Sequence, residues 1–188
     1  MRTTPTGTHT PTEYSVPMPA RVGLIGSLAA FLVFTAGAGA AGWHVTRVAR
    51  TPAYVLTLEV GAMEPMYTEQ EAKESHPASG EVMIGTGMSM PAGGHAIGME
   101  GGSIRSVALH VRRRAGGTVV TDVRPAIALQ DETVKSTASP IQAVAMEGID
   151  AGSSDLHYGN NVTLQPGHRY RVTVAVKGQR AAFVFRAR

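Results

Sequence analysis

Residues 104–112 read IRSVALHVR, and in this stretch Val107, Leu109 and Val111 alternate with smaller or polar residues. Successive side chains of a β-strand point to opposite faces, so this pattern is typical of a strand with one buried face. Similar runs, rich in β-branched residues, recur at short intervals. We predict strands at residues 54–60, 82–85, 104–112, 118–123, 126–130, 141–146, 161–164, 170–176 and 182–186. Short strands at this spacing indicate an all-β fold, an antiparallel β-sandwich.

Turn and helix signals lie between these strands. Gly116-Gly117 predicts a hairpin after the strand at 104–112, and Pro166-Gly167 predicts a turn before the strand at 170–176. Residues 68–71, Thr-Glu-Gln-Glu, have the form of a capping box, so we expect one short helix there, ended by Pro77. Residues 85–102 are rich in Gly and Met and predict a long loop.

The amino end predicts passage into or across a membrane. Residues 22–41 carry no charge, and a helix of this length just spans a hydrocarbon core of ~30 Å. We therefore expect one N-terminal hydrophobic helix at 22–42, either a signal peptide cleaved after a small-x-small site or an uncleaved membrane anchor. Residues 1–21 are predicted to be a disordered leader, 43–53 a linker and 54–188 the β-sandwich domain. Either fate predicts a location in the periplasm or on the extracytoplasmic face of the cell membrane.

Composition narrows the chemistry that is open to the chain. It contains no cysteine, which excludes disulfide scaffolds, thiolate metal sites and thiol catalysis. Residues 51–103 hold one basic and seven acidic residues, whereas residues 104–188 hold twelve basic and six acidic ones. These segments carry −6 and +6, so the small net charge of +3 hides an acidic and a basic half of the chain. We expect no nucleic-acid partner, because the Arg112–Arg114 run has no aromatic residues among it. No motif of a hydrolase or nucleotide-binding enzyme occurs, and we expect no catalytic residues.

Methionines are concentrated in the acidic half. Met88, Met90, His95 and Met99 lie within twelve residues of the predicted loop. Thioether sulfur favours copper(I), and imidazole adds affinity for copper(II), iron and zinc, so these residues are candidate metal ligands. The alternative is packing, because unbranched methionines fill irregular spaces in a core that is poor in aromatic residues.

A second group of possible donors lies near the carboxyl end, where Met146, Asp155 and His157 occur within twelve residues. Taken alone, this group is also compatible with a polar surface loop. His110 lies on the strand at 104–112, and the pattern leaves open whether its side chain points outward or into the core.

One run in this region resembles a known family. Residues 155–162, DLHYGNNV, followed by YRVTV at 170–174, resemble the His-Tyr-Gly-(Ala/Asn)-Asn-(Ile/Val) and Tyr-(Lys/Arg)-Val-Thr signature of bacterial periplasmic iron-transport accessory proteins. Residues 63–66, Met-Glu-Pro-Met, are similar to that family's Met-Glu-Pro segment. The resemblance implies an immunoglobulin-like or cupredoxin-like sandwich that binds copper and assists iron uptake through an inner-membrane permease. It also implies that the protein forms a homodimer.

Position by position, the resemblance implies His157 as a metal ligand, Met146 as a thioether ligand and Glu64 as an acidic ligand. No histidine follows Tyr170, where the family has its last imidazole, and we expect His95 to supply it.

The sequence therefore predicts an exported copper-binding or iron-binding protein that works with an iron permease or another metal transporter. The alternative is a membrane-anchored immunoglobulin-like interaction module without a metal. A third possibility, an exported copper enzyme, lacks a second cluster of residues that would build a substrate pocket.

Overall fold

A computed structural model describes residues 42–85 and 102–188, which are mostly β-strand and form two sheets. The all-β prediction is confirmed. The strands are β1 (Val45–Arg50), β2 (Tyr54–Ala62), β3 (Met66–Thr68), β4 (Glu81–Met83), β5 (Ser103–Arg113), β6 (Ala126–Asp131), β7 (Ser139–Ile141), β8 (Val144–Gly148), β9 (His157–Leu164), β10 (Arg169–Val176) and β11 (Gln179–Arg186). The helices are α1 (Glu69–Ser75) and a 3₁₀ helix, η1 (Gly152–Asp155).

Strand order defines a large and a small sheet. The seven-stranded sheet has the order β1-β2-β5-β9-β8-β4-β3, and the four-stranded sheet has the order β11-β10-β6-β7. The prediction that all pairing is antiparallel is wrong at one place, because β3 and β4 are parallel. Helix α1 lies between these two strands along the chain, and a parallel pair needs such a crossover connection.

The hydrophobic core follows the predicted alternation. Leu56 and Leu58 on β2, Leu109 on β5, and Val172 and Val174 on β10 are fully buried in one cluster to which both sheets contribute. Burial of each such side chain contributes ~1.5–3 kcal/mol relative to exposure. The residues between them, including His110 on β5, point to the opposite face of their sheet. We call this side of the seven-stranded sheet its outer face.

The predicted helix and turns are confirmed. Thr68 caps α1: its hydroxyl accepts from the Glu71 amide at 3.1 Å, and its own amide donates to the Glu71 carboxylate at 2.8 Å. The helix ends at Ser75, two residues before Pro77. Gly116 and Gly117 both have positive φ, 81° and 67°, which glycine adopts without strain in the turn after β5.

Two strand predictions are wrong, each where the chain changes sheet. Residues 118–123 form only one bridge, Val119 with Arg112, and then lead to β6 in the small sheet. Residues 141–146 are split: Ile141 ends β7 in the small sheet, and Val144 begins β8 in the large one. Apolar residues remain buried through such crossings, so alternation alone does not mark the break.

Strand β1 lies within residues 43–53, for which the sequence predicts a linker. It is an edge strand in register with β2, from Val45 opposite Val60 to Arg50 opposite Val55. Only Val45 and Ala49 of β1 are partly buried, so its apolar pattern is weak and backbone pairing defines it. Within residues 42–85 and 102–188, no helix is long and apolar enough to cross a membrane. The leader predicted at 1–21 and, apart from Gly42, the hydrophobic helix at 22–42 lie outside the described residues.

Candidate metal centre

Pairing between strands aligns possible metal ligands in one row on the outer face. His110 on β5 is opposite His157 on β9, His157 is opposite Met146 on β8, and Met146 is opposite Met83 on β4. Side chains directly opposite each other lie on the same face, with Cβ atoms ~4.5–5.5 Å apart. Two imidazoles and two thioethers therefore lie side by side across four neighbouring strands.

A cavity of about 190 Å³ opens on this face beside His157. Three imidazoles line it, from His44, His110 and His157, together with four carboxyl groups, from Glu59, Glu64, Glu81 and Asp155. Its remaining described wall consists of the small residues Gly61, Ser106 and Ala108, and no Lys or Arg within residues 42–85 and 102–188 lines it. The described lining therefore combines four carboxyl groups with three imidazoles and contains neither lysine nor arginine.

The two ring nitrogens of His157 have different neighbours: Nδ1 lies beside the backbone of Asp155, and Nε2 lies beside the carboxyl group of Glu81. The residue is 3% exposed, and its Nδ1 lies 2.9 Å from the backbone carbonyl oxygen of Asp155. Because a carbonyl only accepts, Nδ1 is the donor of this hydrogen bond. Nε2 lies 3.5 Å from Oε2 of Glu81. Histidine ligands of metals commonly have this arrangement, in which the second ring nitrogen donates to a backbone carbonyl.

Glu81 begins the short strand β4 and is buried, with 8% of its surface exposed. Its Oε2 has no hydrogen-bond partner among the described residues. Burial, a hydrogen bond with the Glu64 carboxyl group and the charges of Glu64 and Asp155 together raise the pKa of its carboxyl group to about 8. At neutral pH this buried carboxyl group is therefore mostly protonated, and a cation bound beside it would stabilise its ionised form.

His110 completes a compact set of donors. Its ring centroid lies 5.1 Å from that of His157, at an interplanar angle of 45°. Burial lowers the pKa of its imidazole, and the neighbouring His157 lowers it further, so the ring is neutral at neutral pH, as a metal ligand must be. One nitrogen from each of His110 and His157 and one carboxylate oxygen of Asp155 lie within 4.8 Å of one another.

The Asp155 carboxylate is held in place by a backbone amide and lies beside the His157 ring. Its Oδ2 accepts from the Gly148 amide at 3.2 Å and lies 3.9 Å from Nδ1 of His157. It ends η1, the short 3₁₀ helix that leads the chain into β9. Glu64 is fixed to the same strand, because the side-chain amide of Asn161 donates to the Glu64 backbone carbonyl at 3.0 Å.

The residues named from the sequence are brought together in part. His157, Asp155 and Glu64 all line the cavity. Met146 is 1% exposed and lies beside His157 in register, but it does not line the cavity. The remaining candidates lie outside the described residues: Met88, Met90, His95 and Met99.

Of the residues that line the cavity, sequence reasoning did not name Glu81, Glu59 or His44 as candidate ligands, and it left His110 open. The signal for His110 was present, because alternation places it on the face opposite Val107 and Leu109. No local signal distinguishes Glu81 from the other glutamates of the acidic half.

Comparison with known proteins adds no relative: no family model, curated protein or solved structure matches the chain. The resemblance to the iron-transport accessory proteins therefore rests on the motif residues alone.

Proposed function

We propose that the protein is an exported metal-binding protein that holds a copper ion in the cavity beside His157. The observation that carries the proposal is Oε2 of buried Glu81, which makes no hydrogen bond within the described part of the chain and lies 3.5 Å from Nε2 of His157. A cation between these groups would neutralise the buried carboxylate and use the nitrogen lone pair. One possible donor atom each of His110 and Asp155 lies within 4.8 Å of a ring nitrogen of His157, so these residues are further candidate ligands.

The donor set favours copper, with iron as the second candidate. Imidazole and carboxylate suit copper(II) and iron, whereas thioether sulfur selects copper(I). Met146 and Met83 continue the row of His110 and His157, so a soft donor lies next to the harder ones. Such a mixed set accommodates both oxidation states of copper.

The wider role follows from the resemblance of residues 155–162 to the periplasmic accessory proteins. We propose that the chain acts outside the cytoplasm and assists iron transport, with an inner-membrane iron permease or another metal transporter as its partner. We also propose that its two sheets form an immunoglobulin-like or cupredoxin-like sandwich and that it forms a homodimer. The shared hydrophobic cluster of the two sheets supports the sandwich.

The test is calorimetric titration of the full chain with copper(II), and with copper(I) under reducing conditions. We expect tight binding and its loss in His157→Ala. His76→Asn is the matched control, because His76 is exposed and has a left-handed φ of 46° that asparagine tolerates. A dissociation constant weaker than about 10 µM, or unchanged affinity in His157→Ala, would refute the proposal. The protein would then be better explained as an interaction module of the same fold.

A further inference from the structure

Three arginines lie together at one end of the strands. Arg105 is near the start of β5, Arg186 ends β11, and Arg188 follows it. Arg105 donates to the backbone oxygen of Arg188 at 3.2 Å, and Arg186 donates to the backbone carbonyl of Gly167 at 2.6 Å. Within residues 42–85 and 102–188, none of the three forms an ion pair with an aspartate or glutamate. Their charge is therefore available to an anionic partner.

Trp43, the single tryptophan of the chain, lies beside these arginines. Its ring is 6.1 Å from that of Phe185 between centroids, and the guanidinium carbon of Arg105 is 5.6 Å from the Trp43 centroid. Only Gly42 separates Trp43 from residues 22–41, which carry no charge and are predicted to enter a membrane. Tryptophan is enriched at membrane–water interfaces, because its ring is apolar and its N–H remains hydrated.

Two exposed apolar side chains lie at the same end. Ile104 precedes Arg105 and is 42% exposed, and Met63, which follows the partner of Arg105 on β2, is 53% exposed. Apolar side chains next to basic ones are typical of surfaces that rest on lipid headgroups, where cations contact phosphates and apolar groups reach the acyl boundary. We call this set the arginine patch: Trp43, Met63, Ile104, Arg105, Arg186 and Arg188.

The acidic cavity and Glu132 do not cancel the charge of the arginine patch. The cavity opens on the outer face of the large sheet, whereas alternation places Arg105 on the same side as Val107, which faces the core. Glu132 is already paired with Arg169 and Arg171, at 2.7 and 2.6 Å.

We propose that the arginine patch docks on the headgroups of an anionic lipid bilayer, with its guanidinium groups on the lipid phosphates. This inference rests on the hydrophobic helix predicted at 22–42 and is independent of the metal centre. Each arginine near an anionic surface strengthens the contact ~5-fold. His44, the neighbour of Trp43 in the chain, lines the cavity, so docking holds the cavity near the bilayer in which the proposed transporter partner lies.

The test reconstitutes the full chain in vesicles of phosphatidylcholine, with or without phosphatidylglycerol, and follows the fluorescence of Trp43. Lipids brominated on their acyl chains should quench this emission ~2-fold or more strongly when phosphatidylglycerol is present. Salt at ~1 M, which shortens the Debye length to ~3 Å, should remove the difference. The triple variant Arg105→Gln/Arg186→Gln/Arg188→Gln should also remove it.

The matched control is Arg113→Gln/Arg124→Gln/Arg180→Gln. Arg113 ends β5 and Arg180 is near the start of β11, so this variant removes the same charge from the opposite end of the strands. It should keep the wild-type difference between the two lipid mixtures. Copper affinity should be unchanged in both variants, because none of the six arginines lines the cavity. Thermal unfolding checks that each variant is folded, and the comparison of lipids and salt in wild type needs no variant.

The outcomes separate docking by the arginine patch from anchoring by the hydrophobic segment. Equal quenching in both lipid mixtures would show that the segment alone brings Trp43 to the bilayer, and a chain that floats with neither kind of vesicle would show that nothing does; each result overturns the inference. Equal loss of the difference in the control variant overturns it too, since overall charge would then be the cause. A Trp43 response to soluble polyglutamate that exceeds the response to phosphatidylglycerol would instead assign the patch to an acidic protein surface. Each of these results leaves the copper proposal standing, because copper titration tests that proposal separately.

Discussion

Replacing Glu81 with glutamine separates stability from metal binding. The ordinary pKa of the carboxyl group is 4.5, and in the folded chain it is about 8. The folded chain therefore holds this proton more tightly than the unfolded chain, and stability falls as pH rises from about 4.5 to 8. At pH 7 the unfolded chain has released this proton, whereas the folded chain keeps it. At ~1.4 kcal/mol per pH unit, this difference lowers the free energy of unfolding by ~3 kcal/mol. Glutamine is neutral and still donates to Glu64.

Glutamine carries no proton that must be kept at pH 7, so we expect Glu81→Gln to raise the free energy of unfolding without metal. The expected gain is ~1–3 kcal/mol, because solvent in the cavity reduces the full value of ~3 kcal/mol. The gain should vanish near pH 4, where both states of wild type are protonated. Copper affinity should fall at least ~10-fold, because a neutral amide replaces an anionic ligand. Urea unfolding at both pH values and copper titration measure these effects.

The control for this variant is Glu74→Gln on the exposed side of α1, which should change stability by less than ~0.5 kcal/mol. Two results would refute the reasoning. If Glu81→Gln is less stable than wild type at pH 7, the ionised carboxylate already has a favourable partner. If its copper affinity is unchanged, Glu81 is not a ligand.

Three further variants test other parts of the fold and the site. Burial would raise the pKa of Asp131, but hydrogen bonds from His168, at 2.6 Å, and from two backbone amides lower it below 3.8. The stabilisation by the Asp131 carboxylate is present above pH ~3.8 and is lost below it. Asp131→Asn should therefore lower the free energy of unfolding by ~2–4 kcal/mol at pH 7 and make it depend less on pH in the acid range, as measured by urea unfolding. An unchanged dependence on acid pH contradicts this. Thr68→Ala removes the cap of α1 and should lower the urea-derived stability by ~1 kcal/mol, whereas no loss would show that the capping box is dispensable. Met146→Leu should change stability by less than ~1.5 kcal/mol yet weaken copper(I) binding, measured by competition with a chromophoric chelator; equal copper(I) affinity would assign Met146 to packing alone.

The fold was predictable where strands have one buried face. In β2, β5 and β10 the alternation is regular because each strand packs one side on the core. Prediction failed where this cause is absent: β1 is an edge strand with little burial, and residues 118–123 and 141–146 cross between sheets. The parallel pair β3–β4 was also missed, since strands of three residues carry too little pattern to show their direction.

Of the residues that line the cavity, the sequence named Asp155 and His157, and also Glu64 through the family resemblance. Asp155 and His157 are two residues apart and belong to one motif, so the sequence presents them together. Glu81 and His110 come from distant strands, and only the register β5-β9-β8-β4 brings them to His157. That register depends on which strands are neighbours, and this depends on the packing of the whole sheet rather than on any local pattern.

The two-residue period of a strand also explains how an acidic site coexists with a tightly packed core. On β5, Val107 and Leu109 face the hydrophobic cluster, while His110 faces the cavity. Replacing a cavity residue therefore leaves the core contacts of its neighbours in place, because adjacent side chains point to opposite faces. A one-residue slip of β5 against β9 would exchange the two faces and bury the imidazole among leucines and valines. The apolar core thus fixes the register, and the register in turn holds His110 opposite His157.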